Sequence, residues 1–189
     1  MKTYKFYLMI AVMMMATVAA KAQTSETSFG LKAGLNYASL PSNLSAITDK
    51  KGKIGYNLGA FARIGTSLYF QPELNYVTFK SSYNYAAQTY TPKFHQLNLP
   101  LMVGYKLINT DALNFRISAG PDLNYTLNKA VGPAGFDYKK LNVGGVINAG
   151  VDIGNLTLDA RYSRGFTKIN KQLQEKTNLF NLSVGLKVF

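Results

Sequence analysis

The chain has 189 residues, a formal net charge of +12, one histidine and no cysteine. Without cysteine it can form no disulfide, no thiolate metal site and no lipid-attachment cysteine. A single histidine offers no His-based metal site either, and we predict no cofactor.

Residues 1–22 predict a cleavable signal peptide. Lys2 and Lys5 precede an uncharged run at 6–20, and AKA at 20–22 has the small-residue pattern of a cleavage site. The run is shorter than the roughly 20 apolar residues that a spanning helix needs, which disfavours a retained anchor. We expect residues 23–189 to form one exported domain, which contains 18 basic and 9 acidic residues.

Beyond residue 22 the dominant pattern is an alternation of apolar and polar residues. In FGLKAGLNY, at 29–37, every second residue is apolar, and Gly, Lys or Asn lies between. Period two is typical of a strand with one apolar face. The alternation recurs in eight predicted strands, at 29–37, 54–64, 68–76, 97–105, 115–125, 141–151, 156–162 and 180–188.

The connections between these strands alternate in length. Those at 65–67, 106–114 and 152–155 are short, whereas those at 38–53, 77–96, 126–140 and 163–179 are long and rich in Ser, Asn, Thr, Gly and Lys. Outer-membrane barrels have short periplasmic turns and long external loops. The sequence therefore predicts an all-β fold, an eight-stranded antiparallel up-and-down transmembrane β-barrel.

The polar face of the predicted strands carries five basic and four acidic residues, and the apolar face carries none. Charges that point into a narrow lumen are expected to pair, because an unpaired buried charge is costly. The interior of an eight-stranded barrel is just wide enough for side chains to fill. We therefore predict a sealed lumen with a charge network of Lys32, Arg63, Glu73, Arg116, Asp122, Asp152, Asp159, Arg161 and Lys187.

Strand parity alone leaves a second architecture open. A soluble lipocalin-like carrier also has eight alternating strands, but it turns its apolar face inward around a ligand. The positions of aromatic residues favour the membrane barrel, because amphipathic rings prefer the two membrane interfaces. Two aromatic girdles are predicted, Tyr37, Tyr56, Tyr76, Tyr125 and Tyr162 at the long-connection ends and Phe29, Phe70, Tyr105 and Phe115 at the opposite ends.

A repeated tripeptide supports this placement. Leu-Asn-Tyr occurs in GLNY at 34–37, PELNY at 72–76 and PDLNY at 121–125, each time at the end of a strand that runs outward. We predict Leu in the lipid band, Asn in the lumen and Tyr at the outer interface. Pro72, Pro100 and Pro121 lie inside predicted strands, where a missing N–H predicts bulges or distorted pairing.

Four segments resemble successive strands of one known family. LYFQPELNYVTFK at 68–80, QLNLPLMVGYKL at 96–107, RISAGPDLNY at 116–125 and LTLDARYSRGFTKI at 156–169 are similar to the PorT-like outer-membrane β-barrel domain proteins. The resemblance covers essentially the whole chain after residue 22. It implies residence in the outer membrane of a Gram-negative-type bacterium and implies no reaction.

Basic residues outside the predicted lumen set concentrate in the long connections. We expect cationic external loops that contact outer-membrane lipid, lipopolysaccharide phosphates or another acidic extracellular partner. Nucleic acid is not an expected partner of an exported barrel, and we expect a monomer. The loop set comprises Lys50, Lys51, Lys53, Lys139, Lys140, Lys168, Lys171 and Lys176.

Catalysis has little support in the sequence. His95 could be paired with Ser81 or Ser82, but a catalytic set is defined by geometry that spacing does not supply. We predict a protein that is not an enzyme and has a structural, adhesive or surface-interaction role. A narrow small-solute porin and the soluble carrier are the alternatives.

Overall fold

The structure is a computed structural model of the full chain. It describes residues 27–39, 48–85, 88–110, 112–128, 139–167 and 177–188. The predicted signal peptide at 1–22 lies outside these ranges.

Nine strands form in the described residues, and all but the short β4 coincide with or extend a predicted segment of alternating polarity. They are β1 (Thr27–Ser39), β2 (Thr48–Ile64), β3 (Leu68–Tyr85), β4 (Gln88–Tyr90), β5 (Lys93–Asn109), β6 (Leu113–Thr126), β7 (Leu141–Ile153), β8 (Leu156–Gly165) and β9 (Asn178–Lys187).

Eight of the nine strands close into a barrel. β1 pairs with β9 on one side and with β2 on the other, and β2–β3 pairing closes the ring. The three-residue strand β4 pairs only with the end of β3, so it lies outside the barrel wall. Every pairing is antiparallel. The predicted eight-stranded up-and-down barrel is confirmed.

Apolar side chains face outward and charged ones face inward. Leu31 on β1 and Ile54 on β2 are 63% and 70% exposed, whereas Arg116 and Asp152 are 0% exposed. A soluble carrier would have the opposite polarity, so the lipocalin-like alternative is wrong. Among the residues that the structure describes, no helix is long and apolar enough to cross a membrane.

The two ends of the barrel differ. At the turn end, tight connections at 65–67, 110–112 and 154–155 join the strands. Gly65 and Gly154 have φ of 122° and 55° there, a region of backbone space that glycine occupies without steric cost. The longer connections lie at the opposite end, which we call the loop end.

One wall of the barrel is longer than the others. β2, β3 and β5 have 17, 18 and 17 residues, while β8 and β9 have 10 each. β3 and β5 continue as a hairpin beyond Gln96, which is the last β5 residue paired with β6. Gln96 pairs with Val77, so eight residues, 78–85, add about 26 Å of β3 contour above that level.

This hairpin corrects the predicted loop at 77–96. The outer face of the segment is polar, so it lacks the apolar exterior of the barrel strands, yet its inward face carries Phe79 and Phe94 and its backbone groups pair between β3 and β5. The predicted loop at 38–53 is also too long, because β2 already begins at Thr48. The connection predicted at 106–114 shrinks to 110–112, since β5 and β6 both extend into it.

Each of the three prolines interrupts one of its two strand ladders. Pairing is broken opposite Pro72 between β2 and β3, opposite Pro100 between β3 and β5, and opposite Pro121 between β5 and β6. Register is the same on both sides of every gap, so distorted pairing is found at these sites and bulges are not. The register shifts lie elsewhere, near Lys51 and Asn57 in β2 and near Ile108 in β5.

Candidate functional site in the lumen and at the loop end

Eight of the nine residues predicted for the lumen lie buried inside the barrel. They are Lys32, Arg63, Glu73, Arg116, Asp122, Asp152, Asp159 and Arg161, and their exposed fractions range from 0% to 5%. Four are basic and four acidic, so their formal charges cancel. Lys187, the ninth, is half-buried near the turn end of β9.

Four charged residues form a compact layer toward the turn end. Asp152 accepts from both arginines, with 2.6 Å between Arg63 Nη1 and Oδ2 and 3.0 Å between Arg116 Nε and Oδ1. Arg116 Nη1 also lies 2.8 Å from Asp159 Oδ1, and Arg116 donates to the hydroxyl of Thr157. The layer contains two positive and two negative groups, so no formal charge is left uncompensated within it.

A second layer centres on Glu73. Arg161 donates to both of its carboxylate oxygens, at 2.8 Å and 2.7 Å, in the bidentate geometry that makes such pairs strong. Lys32 Nζ lies 2.7 Å from Glu73 Oε2. Glu73 therefore compensates two buried cations, Lys32 and Arg161.

Neutral amides join the two layers. Gln71 accepts from Arg63 Nε at 2.8 Å and donates to Glu73 Oε1 at 2.7 Å. On the other side, Asn148 donates to Asp159 at 2.8 Å and accepts from Arg161 Nε at 3.3 Å. The charged groups thus form one hydrogen-bonded network across the lumen.

Inward glycines make room for the large side chains of this network. Gly150 on β7 is the cross-strand partner of Arg116. A Cβ at residue 150 would lie 2.5 Å from both Arg116 Cζ and Asp159 Oδ1. Glycine at residue 150 therefore leaves the space that the arginine opposite occupies.

Gly150→Val is expected to destabilise the barrel by about 1–3 kcal/mol, because the added methyl groups displace the guanidinium of Arg116. Urea titration in lipid vesicles would measure the change in free energy of unfolding. Ala149→Val is the matched control, since residue 149 is exposed on the outer face of the same strand. Equal stability of the two variants would contradict the packing described for Gly150.

The asparagines of the three Leu-Asn-Tyr repeats lie in the lumen above the charge layers. Asn181 Nδ2 donates to Asn36 Oδ1 at 2.5 Å. Asn36 Nδ2 donates to the carbonyl of Thr78. Asn75 donates to Asn98, which donates in turn to Asn124 at 2.9 Å. The repeat therefore places an asparagine amide on the inner face of the barrel wall in each of β1, β3 and β6.

Asp122 lies beside a small polar cavity on this side of the lumen. It accepts a hydrogen bond from Asn98 and is 2% exposed. The cavity has a volume of about 20 Å³, and roughly 10–15 Å³ suffices for one water molecule. A void of this size does not provide a continuous aqueous path.

An apolar cluster, the lumen cap, lies inside the barrel at the loop end. It consists of Ala38, Val77, Phe79 and Phe94, with Leu179 packed against them. The rings of Phe79 and Phe94 stack at a centroid distance of 4.9 Å. The cap takes residues from β1, β3, β5 and β9, and within it Ala38 and Leu179 are direct cross-strand partners.

Sequence reasoning missed the lumen cap and one buried cation. Phe79 and Phe94 have the same strand parity as Glu73 and Gln96, so their inward orientation follows once the strands are extended. Lys106, 8% exposed, likewise faces the lumen, because β5 runs past the predicted end at Tyr105. The signal in the sequence was that the alternation of inward and outward side chains continues beyond the predicted ends of the strands.

The residues predicted for the girdles all lie on the outer face of the barrel. Tyr37 and Tyr162 are both cross-strand partners of Phe180, so β1, β9 and β8 carry a continuous aromatic row. Phe180 belongs to this row but was not predicted. The outward residues are Tyr37, Tyr56, Tyr125, Tyr162, Phe29, Phe70 and Tyr105, which are exposed, and Tyr76 and Phe115, which are half-buried.

The predicted cationic loops are partly strand. Lys50, Lys51 and Lys53 lie in β2, which corrects their placement in a loop. Lys139 and Lys140 are exposed immediately before β7. The other three predicted loop lysines, Lys168, Lys171 and Lys176, lie outside the described residues.

His95 lies on the outer face of β5 at the loop end, where its Nδ1 is 2.6 Å from the hydroxyl of Tyr76. Thr78 is its cross-strand partner, and Ser82 is four residues farther along, about 13 Å away at strand spacing. Ser82 instead contacts Thr91. No group of three or more His, Asp or Glu side chains in the described ranges could hold a metal ion.

Solved structures with this architecture include outer-membrane proteins. Ail, the attachment invasion locus protein of Yersinia pestis, crystallised with the heparin analogue sucrose octasulfate, has 12% identity and a TM-score of 0.51, covering 86% of this chain and 99% of Ail. Neisserial surface protein A has 18% identity and a TM-score of 0.54, with the same coverage. The outer membrane enzyme PagL has 14% identity and a TM-score of 0.51, covering 81% of this chain and 98% of PagL.

At these identities the structural matches establish the fold alone. No curated protein sequence matches the chain. The family model described as outer membrane protein beta-barrel domain matches residues 21–171. Together with the closed barrel and its apolar exterior, this match shows that the chain belongs to the outer membrane protein beta-barrel domain family.

Proposed function

We propose that this protein is a non-conducting outer-membrane barrel that acts through its cationic loop end, as a surface-interaction or adhesive protein. The partner class is anionic: lipopolysaccharide phosphates or another acidic surface outside the cell. The observation that carries the proposal is the segregation of charge between the lumen and the loop end.

The acidic side chains are buried, whereas basic side chains are exposed at the loop end. Every acidic residue whose side chain the structure describes, Glu73, Asp122, Asp152 and Asp159, is buried in the lumen. In the same part of the chain, six basic side chains are exposed at the loop end: Lys53, Lys80, Lys93, Lys139, Lys140 and Arg164. A surface of one sign attracts polyanions with a strength that falls as salt rises.

The filled lumen supports surface action in preference to transport. Two charge layers, the asparagines of the Leu-Asn-Tyr repeats and the lumen cap occupy the interior in succession. A small-solute porin would need a water path past Arg63, Arg116 and Arg161, which are ion-paired across the barrel.

We also propose that the protein is not an enzyme. The distance between His95 and Ser82 disfavours one of the two Ser–His pairs that the sequence suggested, and the His95 ring contacts the hydroxyl of Tyr76. Within the outer membrane protein beta-barrel domain family, the closer relationship to PorT-like proteins stays a prediction. Ail, solved with a heparin analogue, offers an analogy for recognition of a polyanion by this fold.

Binding to a sulfated polysaccharide tests the proposal. The protein in zwitterionic nanodiscs is expected to be retained on immobilised heparin at low salt and released as salt rises. Replacing Lys139, Lys140, Lys168, Lys171 and Lys176 by Gln is expected to weaken retention at least about tenfold, because the attraction is electrostatic. Biolayer interferometry would give both affinities.

The matched control replaces the same five lysines by Arg, which preserves every charge. Retention of the Arg variant with loss of the Gln variant supports the proposal. Salt-independent binding, or equal binding by the Gln variant, would overturn it.

A further inference from the structure

Two lysines face each other on the outer face of the β3–β5 hairpin. Lys80 and Lys93 are direct cross-strand partners, and both side chains are exposed. Residues directly opposite each other have Cβ atoms about 4.5–5.5 Å apart, and like charges at such positions are destabilising. Within the described residues no ion pair to either lysine offsets this repulsion.

The outer face of the hairpin changes polarity in steps below this pair. Tyr76 and Leu97 are cross-strand partners, as are Thr78 and His95, and the lysine pair comes next. Tyr76 belongs to the aromatic girdle at the loop end, and its hydroxyl contacts His95. From the membrane outward the face is thus apolar, aromatic, polar and finally cationic.

This order matches the polarity profile of a membrane leaflet. Tyr rings lie at the level where acyl chains meet headgroups. Lys80 is four residues beyond Tyr76, about 13 Å along the strand, and flexible lysine side chains can bend back toward the headgroup region. The pair therefore lies within reach of headgroup phosphates.

We propose that Lys80 and Lys93 form a two-point site for a phosphate monoester on an outer-leaflet glycolipid. Two ammonium groups on adjacent strands can donate to separate oxygens of one phosphate, which relieves their mutual repulsion. The site fixes the hairpin relative to the membrane surface. This inference rests on the proposed role of the loop end, because it assigns one anionic partner to one part of that surface.

Native mass spectrometry of the barrel in neutral detergent tests the site. The probes are a phosphorylated lipid A-type glycolipid, the same glycolipid after enzymatic removal of its phosphates, and inorganic phosphate. We expect the phosphorylated glycolipid to bind at least about tenfold more tightly than the dephosphorylated one, because the contacts are charge-assisted. We expect Lys80→Gln with Lys93→Gln to abolish that preference.

The control is Lys139→Gln with Lys140→Gln, which removes the same charge from another exposed pair at the loop end. Loss of the preference in both double variants would overturn the site, since net charge alone would then explain it. Displacement of the glycolipid by millimolar inorganic phosphate would also overturn it, because the site would then bind free phosphate.

A charge reversal separates binding from folding. Lys80→Glu creates a cross-strand ion pair with Lys93, so we expect a variant that is at least as stable as the wild type in urea and has lost the glycolipid preference. A Lys80→Glu variant that keeps the preference would overturn the proposal. The heparin assay uses zwitterionic nanodiscs, which contain no phosphate monoester, and its variants change other lysines. Failure of the glycolipid site and failure of the wider surface role therefore give different results.

Discussion

Glu73→Gln is expected to lower the free energy of unfolding by about 3–5 kcal/mol, because it breaks a buried ion pair by removing one partner. The variant keeps the size of the side chain but leaves two cations, Lys32 and Arg161, buried without their shared carboxylate. Urea titration in lipid vesicles would give the free energy. Loss of the heat-modifiable band on a gel would report the same change qualitatively.

Two controls define the origin of this effect. Lys139→Gln removes a charge from an exposed position and is expected to change stability little. Lys32→Met added to Glu73→Gln removes one of the two stranded cations and is expected to recover part of the loss. A Glu73→Gln barrel within about 1 kcal/mol of the wild type would contradict the pairing, since a broken buried pair costs more.

Phe94→Ala is expected to cost about 3–5 kcal/mol, the usual range for truncating a buried phenylalanine. Phe94 is 1% exposed and stacks on Phe79 in the lumen cap. The same urea titration would measure the loss. Phe166→Ala is the matched control, because Phe166 is 63% exposed at the same end of the barrel.

The Phe94→Ala variant also separates stability from closure. The charge layers around Glu73 and Asp152 lie below the cap and do not depend on it for their contacts. We therefore expect a destabilised barrel that still does not conduct. A Phe94→Ala barrel as stable as the wild type would show that the cap contributes nothing to folding.

Strand parity, once the aromatic positions indicated which face points outward, predicted eight of the charged residues that are buried in the lumen. Because successive side chains alternate between two faces, a polar residue such as Arg116 or Asp159 could be assigned to the interior from its neighbours alone. The Leu-Asn-Tyr repeats follow the same rule, with Asn36 and Asn75 buried in the lumen. The family match and the closed barrel agree with the architecture predicted from this alternation.

The pairing within the lumen could not be predicted in the same way. Glu73 on β3 meets Arg161 on β8, four strands away round the ring. Which residues meet across the lumen depends on strand tilt and stagger, which are properties of the closed barrel and not of any one strand.

The hairpin and the lumen cap were missed for a different reason. The end of each predicted strand was placed at the last residue of clear apolar alternation, and the segments around Lys80 and Lys93 are polar on their outer face. Continued strand pairing there is stabilised by the ribbon itself and by the inward rings of Phe79 and Phe94. A loop and a solvated β-ribbon have similar composition, so only tertiary contacts distinguish them.

The central claim is that a buried ion network and an apolar cap close this barrel, so that it acts from its surface. Single-channel recording of the refolded wild-type protein in a planar lipid bilayer tests it most directly. We predict no current steps above the bare bilayer across the applied voltage range, from protein whose insertion is verified by its heat-modifiable band. Reproducible ohmic steps from the same protein would show a continuous water path past Arg161 and Arg116 and would contradict the claim.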